Sequence, residues 1–548
     1  MAGGGASMSG QQAAFDYIVV GAGSSGAALA RRLADQPGTR VLLLEAGAPR
    51  HKDFWVEVPL GVGKLLMDPR YVWPFRTEKQ PRLGGQQIYW PRGRMPGGSS
   101  SINGNLWVRG DPVEYDRWRA MGNPGWGWDD LLPYFKRLES TTFGDDAQRG
   151  RSGPVKVSPL AERPSELGDA FLAACVAAGI PSTPDYNGGR YEGVAYLQVS
   201  IRNGRRSSTA KAYLGTGVPP GLVMHTEAMA TRVLFEGRRA VGIEYRHNGQ
   251  TVAAHARAEV VLSAGSIQSP QLLELSGIGQ SALLQRLGLP VVHALEGVGE
   301  NLIDHLQSRI TYECARPITL NEIMASPIRQ ALMGAQYLLT RRGFMSAPLA
   351  TVHALARTAA EDPQPDMKIQ ITHRTGADRY ASSAAAGADT YPGFGIGMFQ
   401  LRPESRGSVH VRSTDVADPP LIDPNYLATD ADRRALLRGA HLVRRVAAAA
   451  PMKALIVRET RPGPETDSDD ALLDYLKTSG QTSWHPIGTC RMGNDALAVV
   501  DARLRVHGID RLRVVDSSIM PTMPSSNTNA PSIAIGEKAA DMILADRG

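Results

Sequence analysis

Residues 15–45 restrict the start of this chain to one kind of unit. FDYIVV is an apolar run of strand length, GAGSSG follows at once, AALARRLA has helical periodicity, and RVLLLE is a second apolar run that ends in Glu45. Strand, glycine turn, helix, strand and acid is the order of a dinucleotide-binding βαβ unit, and Glu45 stands nineteen residues after Gly26, as that unit requires. Gly21 permits the tight turn, Gly23 lets backbone amides approach a pyrophosphate, and Gly26 lets helix and strand pack closely. The helix N-terminus then faces the phosphate charge, and the Glu45 carboxylate is placed for ribose hydroxyls. Taken alone, the pattern serves FAD and NAD equally.

The chain has 548 residues, beyond the roughly 250–300 at which a single core stops growing, so two or more lobes are expected. It is 42% hydrophobic and 21% charged, with a net charge of +6. Basic clusters such as RNGRRSS (202–208) are too short for a nucleic-acid stripe, and the charge supports at most a weak attraction to anionic surfaces. Cys175, Cys314 and Cys490 have no metal-ligand spacing, which points to a reducing compartment and to no metal site. Residues 1–14 lack the charged start and apolar run of a leader, and no stretch approaches the roughly 20 apolar residues of a membrane span. The expectation is a cytoplasmic protein.

Further along, ATRVLFEGRRAVGIEYR (230–246) reads as a β-hairpin, and AEVVLSAGSIQSPQLLELSGIG (258–279) reads as strand, Ala-Gly turn and helix. RRALLRGAHLVRRVAAAA (433–450) is helical, while MKIQITH (367–373) and FGIGMFQLR (394–402) are short strands. LRVVD (512–516) repeats the strand-then-acid pattern, and IAIGEKAADMIL follows as an amphipathic helix. No repeat or low-complexity linker separates these pieces, which suits interleaved domains. His485, in SWHPIGTC (483–490), precedes a proline and so belongs to a loop.

With these motifs in hand the chain resembles the glucose–methanol–choline family of flavin oxidoreductases from about Phe15 to Leu544. GRMPGGSSSINGNLWVRGDPVEYD (93–116) is similar to the family's first signature, and GSIQSPQLLELSGIG (265–279) to its second. WHPIGTCRMG and RVVDSSIMPTMPSSNTNAPSIAIGEKAADMI resemble its C-terminal motifs. The resemblance implies an α/β fold, in which a Rossmann-like FAD-binding domain (14–160, 196–305, 496–548) is interleaved with an α+β substrate-binding domain (161–195, 306–495). It also implies FAD held by Gly21, Gly23, Ser24, Gly26, Glu45 and Ala46, with Val233 beside the adenine. Arg94, Gly97, Gly98, Ser99 and Asn103 would lie along the flavin, with Ala264, Gly265 and Trp484. Asp516, Ser517, Asn527, Thr528, Ala530 and Pro531 would close over it. Two positions depart from the family pattern. Pro96 stands in a slot that is usually aliphatic, and Ile102 replaces the histidine that bonds flavin in some members, so non-covalent FAD is expected.

The implied chemistry is oxidation of a primary alcohol to the aldehyde, with hydride passing to flavin N5. An imidazole suits proton removal near neutral pH, so His485 is assigned as the base. Asn529, 44 residues on, is assigned as donor to the substrate oxygen. Trp484 is expected to wall the pocket. Gly397, Phe399 and Leu401 share one strand face and are expected to point toward the substrate. His507 reads as a turn residue. A quaternary ammonium calls for an aromatic cage, but aromatic content is 6% and APLATVHALART (347–358) offers no acid, so choline ranks below a simple primary alcohol. The C-terminal motifs favour a dehydrogenase over an oxidase, with oxygen, a quinone or a dye as acceptor. Alternatives are an oxidase of aromatic or furanic alcohols, choline dehydrogenase, a hydroxynitrile-lyase-like flavoprotein, a decarboxylase relative and an NAD-dependent dehydrogenase.

Overall fold

A computed structural model describes residues 15–215, 217–359, 361–376 and 387–547. Residues 1–14, read above for a leader and for the first domain boundary, lie outside the described residues.

Phe15–Val20 and Val41–Leu44 are strands buried along their whole length, as expected of parallel strands covered on both faces. They sit side by side in a seven-stranded sheet ordered Leu222–His225, Val41–Leu44, Phe15–Val20, Gln250–Leu262, Arg239–His247, Met229–Glu236. Leu512–Val514 pairs in parallel with the end of Gln250–Leu262 and so returns the C-terminus to this layer. The same 13-residue strand carries the antiparallel hairpin at its other end.

The closing helix, Asn529–Asp546, is not the half-exposed amphipathic helix its sequence suggests. It is buried on all sides from Ala530 to Ala540, charged residues included. Glu537 accepts from Arg32 Nε at 2.9 Å, Arg137 Nε at 2.7 Å and the Tyr213 hydroxyl at 2.6 Å. Gly536 lies against helix Ser24–Ala34 so closely that a Cβ would stand 2.3 Å from the Ser25 carbonyl oxygen. The helix is thereby locked to the first glycine turn.

The second large sheet is antiparallel, ordered Ile456–Arg461, Leu306–Cys314, Gly393–Gln400, Met367–Thr372, Ala350–Ala356, Gly193–Tyr196, with Gln481–Thr482 paired to the start of Leu306–Cys314. Alternate residues take opposite faces. Met367, Ile369, Ile371, Phe394, Ile396 and Met398 join the core that includes helix Asp430–Ala448. Gln370, Thr372, Gly397 and Phe399, on the other face, roof a cavity between the two layers. Each sheet draws on separated stretches of chain, so the layers interleave in sequence. Among the described residues no helix is long and apolar enough to cross a membrane, and no cluster of His, Cys, Asp and Glu has the makings of a metal site. All three cysteines are free and buried.

Candidate active site

The cavity has a volume of about 590 Å³ and begins at the first glycine turn. Gly21 has φ +101°, and a Cβ there would stand 2.4 Å from the Ser263 carbonyl oxygen; at Gly26 it would stand 1.9 Å from that of Gly21. A Cβ on Gly23 would meet nothing within 4 Å and would project into space, and Gly23 lines the cavity. Gly265, φ +87°, is open in the same way. Gly21 and Gly26 are thus small for the sake of the fold, Gly265 is called for by its left-handed backbone, and Gly23 is small for the sake of what fills the cavity. This arrangement fits a dinucleotide laid along the turn.

Beyond the turn, Glu45 accepts from the backbone amides of Ala22 (3.1 Å) and Gly47 (2.8 Å), and burial lifts its pKa to about 7. Asp516 accepts from Gly265 N (2.9 Å), Ser269 Oγ (2.6 Å) and Ser518 N (2.8 Å), which ties the C-terminal strand to the second glycine turn. Residues 95–98 form a turn in which Gly98 N–H donates to the Met95 carbonyl at 2.8 Å, with Gly97 at φ +88°. Proline followed by a positive-φ glycine is what a type II turn favours, so Pro96 suits this loop. Gly97 N–H donates to the Ala22 carbonyl at 2.7 Å, joining the two loops.

Ser24, Ala46, Gly98, Ser99, Asn103, Ala264, Trp484, Ser517, Asn527 and Thr528 also line the cavity, as does Ile102. Other expected residues stand elsewhere. Val233 is buried behind the wall, where its N–H donates to Ser276 Oγ (2.9 Å), and Ala228, Met229 and Ala230 line the cavity in its place. Arg94 lies over the Trp73 ring at 4.3 Å and borders a smaller hollow. Ala530 and Pro531 are buried in the first turn of the closing helix. Gly397 and Phe399 line the cavity, whereas Leu401, just past the strand end, packs in a small core with Val108 and Tyr186. His507 Nε2 donates to the Gly493 carbonyl at 3.0 Å, away from the cavity lining.

His485 is held by its backbone. Its N–H donates to Asp304 Oδ1 at 2.7 Å, and Asp304 also receives the hydroxyls of Thr482 (2.6 Å) and Tyr426. The preceding Trp484 takes φ +59°, a left-handed conformation that is costly for a bulky side chain. It is fixed there by its N–H to Thr482 Oγ1 (2.7 Å) and by Arg92, which donates to its carbonyl (2.9 Å).

The side chain of His485 belongs to a relay whose donors and acceptors are determined from both ends. His305 Nε2 lies 3.2 Å from the Leu401 carbonyl, which only accepts, so that nitrogen carries a proton. Burial pushes the His305 pKa down to about 3, so the ring is neutral and its Nδ1 is bare. His485 Nδ1, 3.0 Å away, must therefore donate to it. Burial, reinforced by His305, Lys368 and Arg92, holds His485 well below the usual histidine range, which leaves Nε2 as a bare lone pair. Nε2 accepts from Asn527 Nδ2 at 2.9 Å, and Asn527 Oδ1 accepts from the Lys368 ammonium at 2.8 Å. Because an ammonium only donates, the Asn527 amide is oriented with its NH₂ toward His485.

This places Asn527, not Asn529, beside the histidine. Asn529 is the first residue of the closing helix, and its Oδ1 accepts from Ser24 Oγ at 2.8 Å. Sequence reading missed His305, Lys368, Asp304 and Arg92. The Asp-His pair in NLIDHLQ was a visible signal for Asp304 and His305. Lys368 gave none, because Lys, Gln and Thr alternating in MKIQIT read as an ordinary solvent face.

Fold and site together define a flavoprotein-type oxidoreductase: a dinucleotide cradle opening onto a buried neutral imidazole. The GMC oxidoreductase model matches residues 15–307 with its N-terminal part and 403–536 with its C-terminal part. The chain is 40% identical to human mitochondrial choline dehydrogenase over 538 residues, 96% of this chain and 89% of that protein. It is 39% identical to an alcohol dehydrogenase (acceptor) of Pseudomonas putida over 536 residues, 97% of this chain and 96% of that one. The formate oxidase of Aspergillus oryzae RIB40, whose solved structure concerns modification of its FAD, superposes with a TM-score of 0.89 at 26% identity, covering 97% of this chain and 98% of that one. The chain belongs to the GMC oxidoreductase family and is an FAD-dependent oxidoreductase of CH–OH donors.

Proposed function

We propose that the protein oxidises a primary alcohol to the aldehyde, with His485 removing the hydroxyl proton at Nε2 and the Asn527 amide holding the oxygen. The observation that carries this reading is the relay from the Leu401 carbonyl to Lys368, which leaves one bare imidazole nitrogen and one N–H donor side by side on the cavity wall. FAD bound in the cradle supplies the hydride acceptor. Gly21, Gly23, Ser24 and Glu45 are assigned to its ADP half, and Gly98, Ser99, Asn103, Asp516 and Thr528 to the remainder. Residue 102 is an isoleucine and has no nucleophilic atom, so the flavin is held non-covalently. Substrate oxygen would enter between Nε2 and Asn527 Nδ2, giving its proton to the first and accepting from the second. As alkoxide charge develops, the Asn527 dipole, polarised by the Lys368 ammonium, stabilises it.

Lys368 is a positioning residue in this scheme. It is fully buried, and burial alone lowers its pKa to about 7. Among the described residues no carboxylate faces it: its surroundings are Asn527, Ser526 (3.3 Å), the Phe399 ring and the neutral rings of His305, His353 and His485. Hydrogen bonds to charged groups are worth about 1.5–3 kcal/mol, so Lys368→Met is expected to slow flavin reduction about ten- to a hundredfold while FAD stays bound. The ammonium is present below about pH 7 and lost above it, whereas His485 stays neutral throughout that window. Wild-type reduction should therefore weaken as pH rises through 7, and the variant should lack that step. An unchanged profile in Lys368→Met would remove the lysine from the scheme.

The carboxylates that line the cavity among the described residues, Glu45 and Asp516, are both tied to backbone amides of the glycine turns. Phe399 and Trp484 adjoin His485, and Gln307, Gln370 and Thr372 also line the cavity. This favours a neutral alcohol. The human relative keeps choline as the second reading. Anaerobic mixing with a panel of primary alcohols and choline, followed by flavin absorbance, decides between them. Bleaching by neutral alcohols supports the proposal, and bleaching by choline alone replaces it with the second reading. Admitting air should restore colour slowly, and a quinone or dye quickly, for a dehydrogenase. Acid precipitation should leave a colourless pellet. The free, buried cysteines support a reducing compartment, read here as the cytoplasm.

A further inference from the structure

Helix Pro327–Thr340 is built the wrong way round for a surface helix. Its one buried residue is Tyr337, while Ile328, Leu332, Leu338 and Leu339 are 73%, 64%, 58% and 84% exposed. At about 100° per residue, Leu338, Ala331, Ala335, Ile328, Leu339 and Leu332 cover an outward arc of about 120°, opposite Tyr337. Four of the twelve large exposed apolar residues among those described thus fall on one helix of 14 residues. Phe54, 44% exposed, adjoins the base of this helix, its ring 6.3 Å from that of Tyr337.

The helix itself carries no acid, and the acid beside its base, Glu57, is ion-paired with Arg205 and Lys211. From residue 323 to residue 349 the sequence contains no Asp or Glu and three arginines, Arg329, Arg341 and Arg342. Arg329 and Arg342 are exposed, and Arg341 lies over the Tyr337 ring at 4.9 Å at the C-terminal end. A second copy of the chain is a poor occupant: a two-fold contact through this face would set the arginines of both copies side by side. The strip is also about 21 Å long and one helix wide, well short of the ~800 Å² per partner of a stable protein interface. An apolar arc rimmed by arginine matches an interface-lying helix on anionic lipid.

We propose that this helix docks the protein on an anionic membrane surface, lying in the headgroup plane without crossing it. Tyr337 anchors it from below in a small core with Val58 and Met345. That core adjoins Val62, Gly63 and Leu66 and residues 348–350, which line the active-site cavity. The docked face therefore lies beside the cavity wall, where an apolar alcohol dissolved in lipid would be close at hand.

The test uses the full-length holoenzyme in flotation with vesicles of phosphatidylcholine alone or mixed with phosphatidylglycerol, at low and high salt. Flotation with the phosphatidylglycerol vesicles, weakened by salt, is the expected result. Leu332→Asp/Leu339→Asp should reduce that binding at least about tenfold, with flavin content and thermal stability unchanged because both side chains already face water. Arg329→Glu/Arg342→Glu should abolish the preference for phosphatidylglycerol. Absence of flotation at low salt, or binding unaffected by the leucine pair, overturns the proposal. A sedimenting dimer that the leucine pair converts to monomer, without vesicle binding, overturns it in favour of a second copy.

Discussion

His485→Ala is expected to bind FAD as the native protein does and to lose alcohol-dependent flavin reduction by about 10²- to 10⁴-fold, the usual contribution of a general base. The loss should be this large because no neighbour can take over. Asn527 is not basic, Lys368 has its hydrogen bond directed to Asn527 Oδ1, and the bare nitrogen of His305 lies on the far side of the His485 ring. Flavin retention is expected because the cradle is made by other segments: the turn at 21–26, the loop at 97–103 and Asp516. Stopped-flow reduction and flavin content per chain are the two readouts. Near-native reduction would remove His485 from the chemistry, and a colourless variant would show that the loop at 483–486 is part of the flavin site itself.

Gly26→Ala is expected to give a protein without flavin and with a much lower midpoint of unfolding. An added Cβ would stand 1.9 Å from the Gly21 carbonyl oxygen, a backbone atom that cannot rotate away. Overpacking a core costs about 1–3 kcal/mol where side chains can adjust; here helix Ser24–Ala34 must lift from the strand it covers. That helix is also clamped from behind, through Arg32 to Glu537 and through Ser25 Oγ to the Ser532 carbonyl. The strain therefore reaches the closing helix, which begins at Asn529, and Asn527 on the loop before it. Gly23→Ala is the contrasting variant. Its Cβ meets no protein atom, so the fold should keep its stability while flavin affinity falls, because the methyl projects into the dinucleotide space. Equal destabilisation by both substitutions would contradict the division of roles between the two glycines.

The sequence made the first glycine turn legible because the positive φ of Gly21 and the contact of Gly26 with the Gly21 carbonyl are local, whereas the approach of Ser263 to Gly21 is a tertiary contact that it did not show. It misdirected the reading at Asn527 and Asn529 for a local reason. Both are polar residues of one motif, and their roles separate only because the helix begins at 529. That start turns Asn529 back toward Ser24 and leaves Asn527 on the preceding loop, facing His485. Val233 and Leu401 failed for a related reason: an alternating pattern names a face but not the element that covers it.

What the sequence determined by itself was therefore local: the βαβ opening, the loop character of His485, and the strand Met367–Thr372. Tertiary structure decided which polar face meets water and which walls a cavity. Lys368 would be a surface lysine if its strand lay at an open face. It became the end of a buried hydrogen-bond relay because the layer carrying residues 526–527, some 160 positions away, closes over it. Hydrophobic periodicity records only that a side chain avoids the apolar core, and both water and a buried active site satisfy that condition.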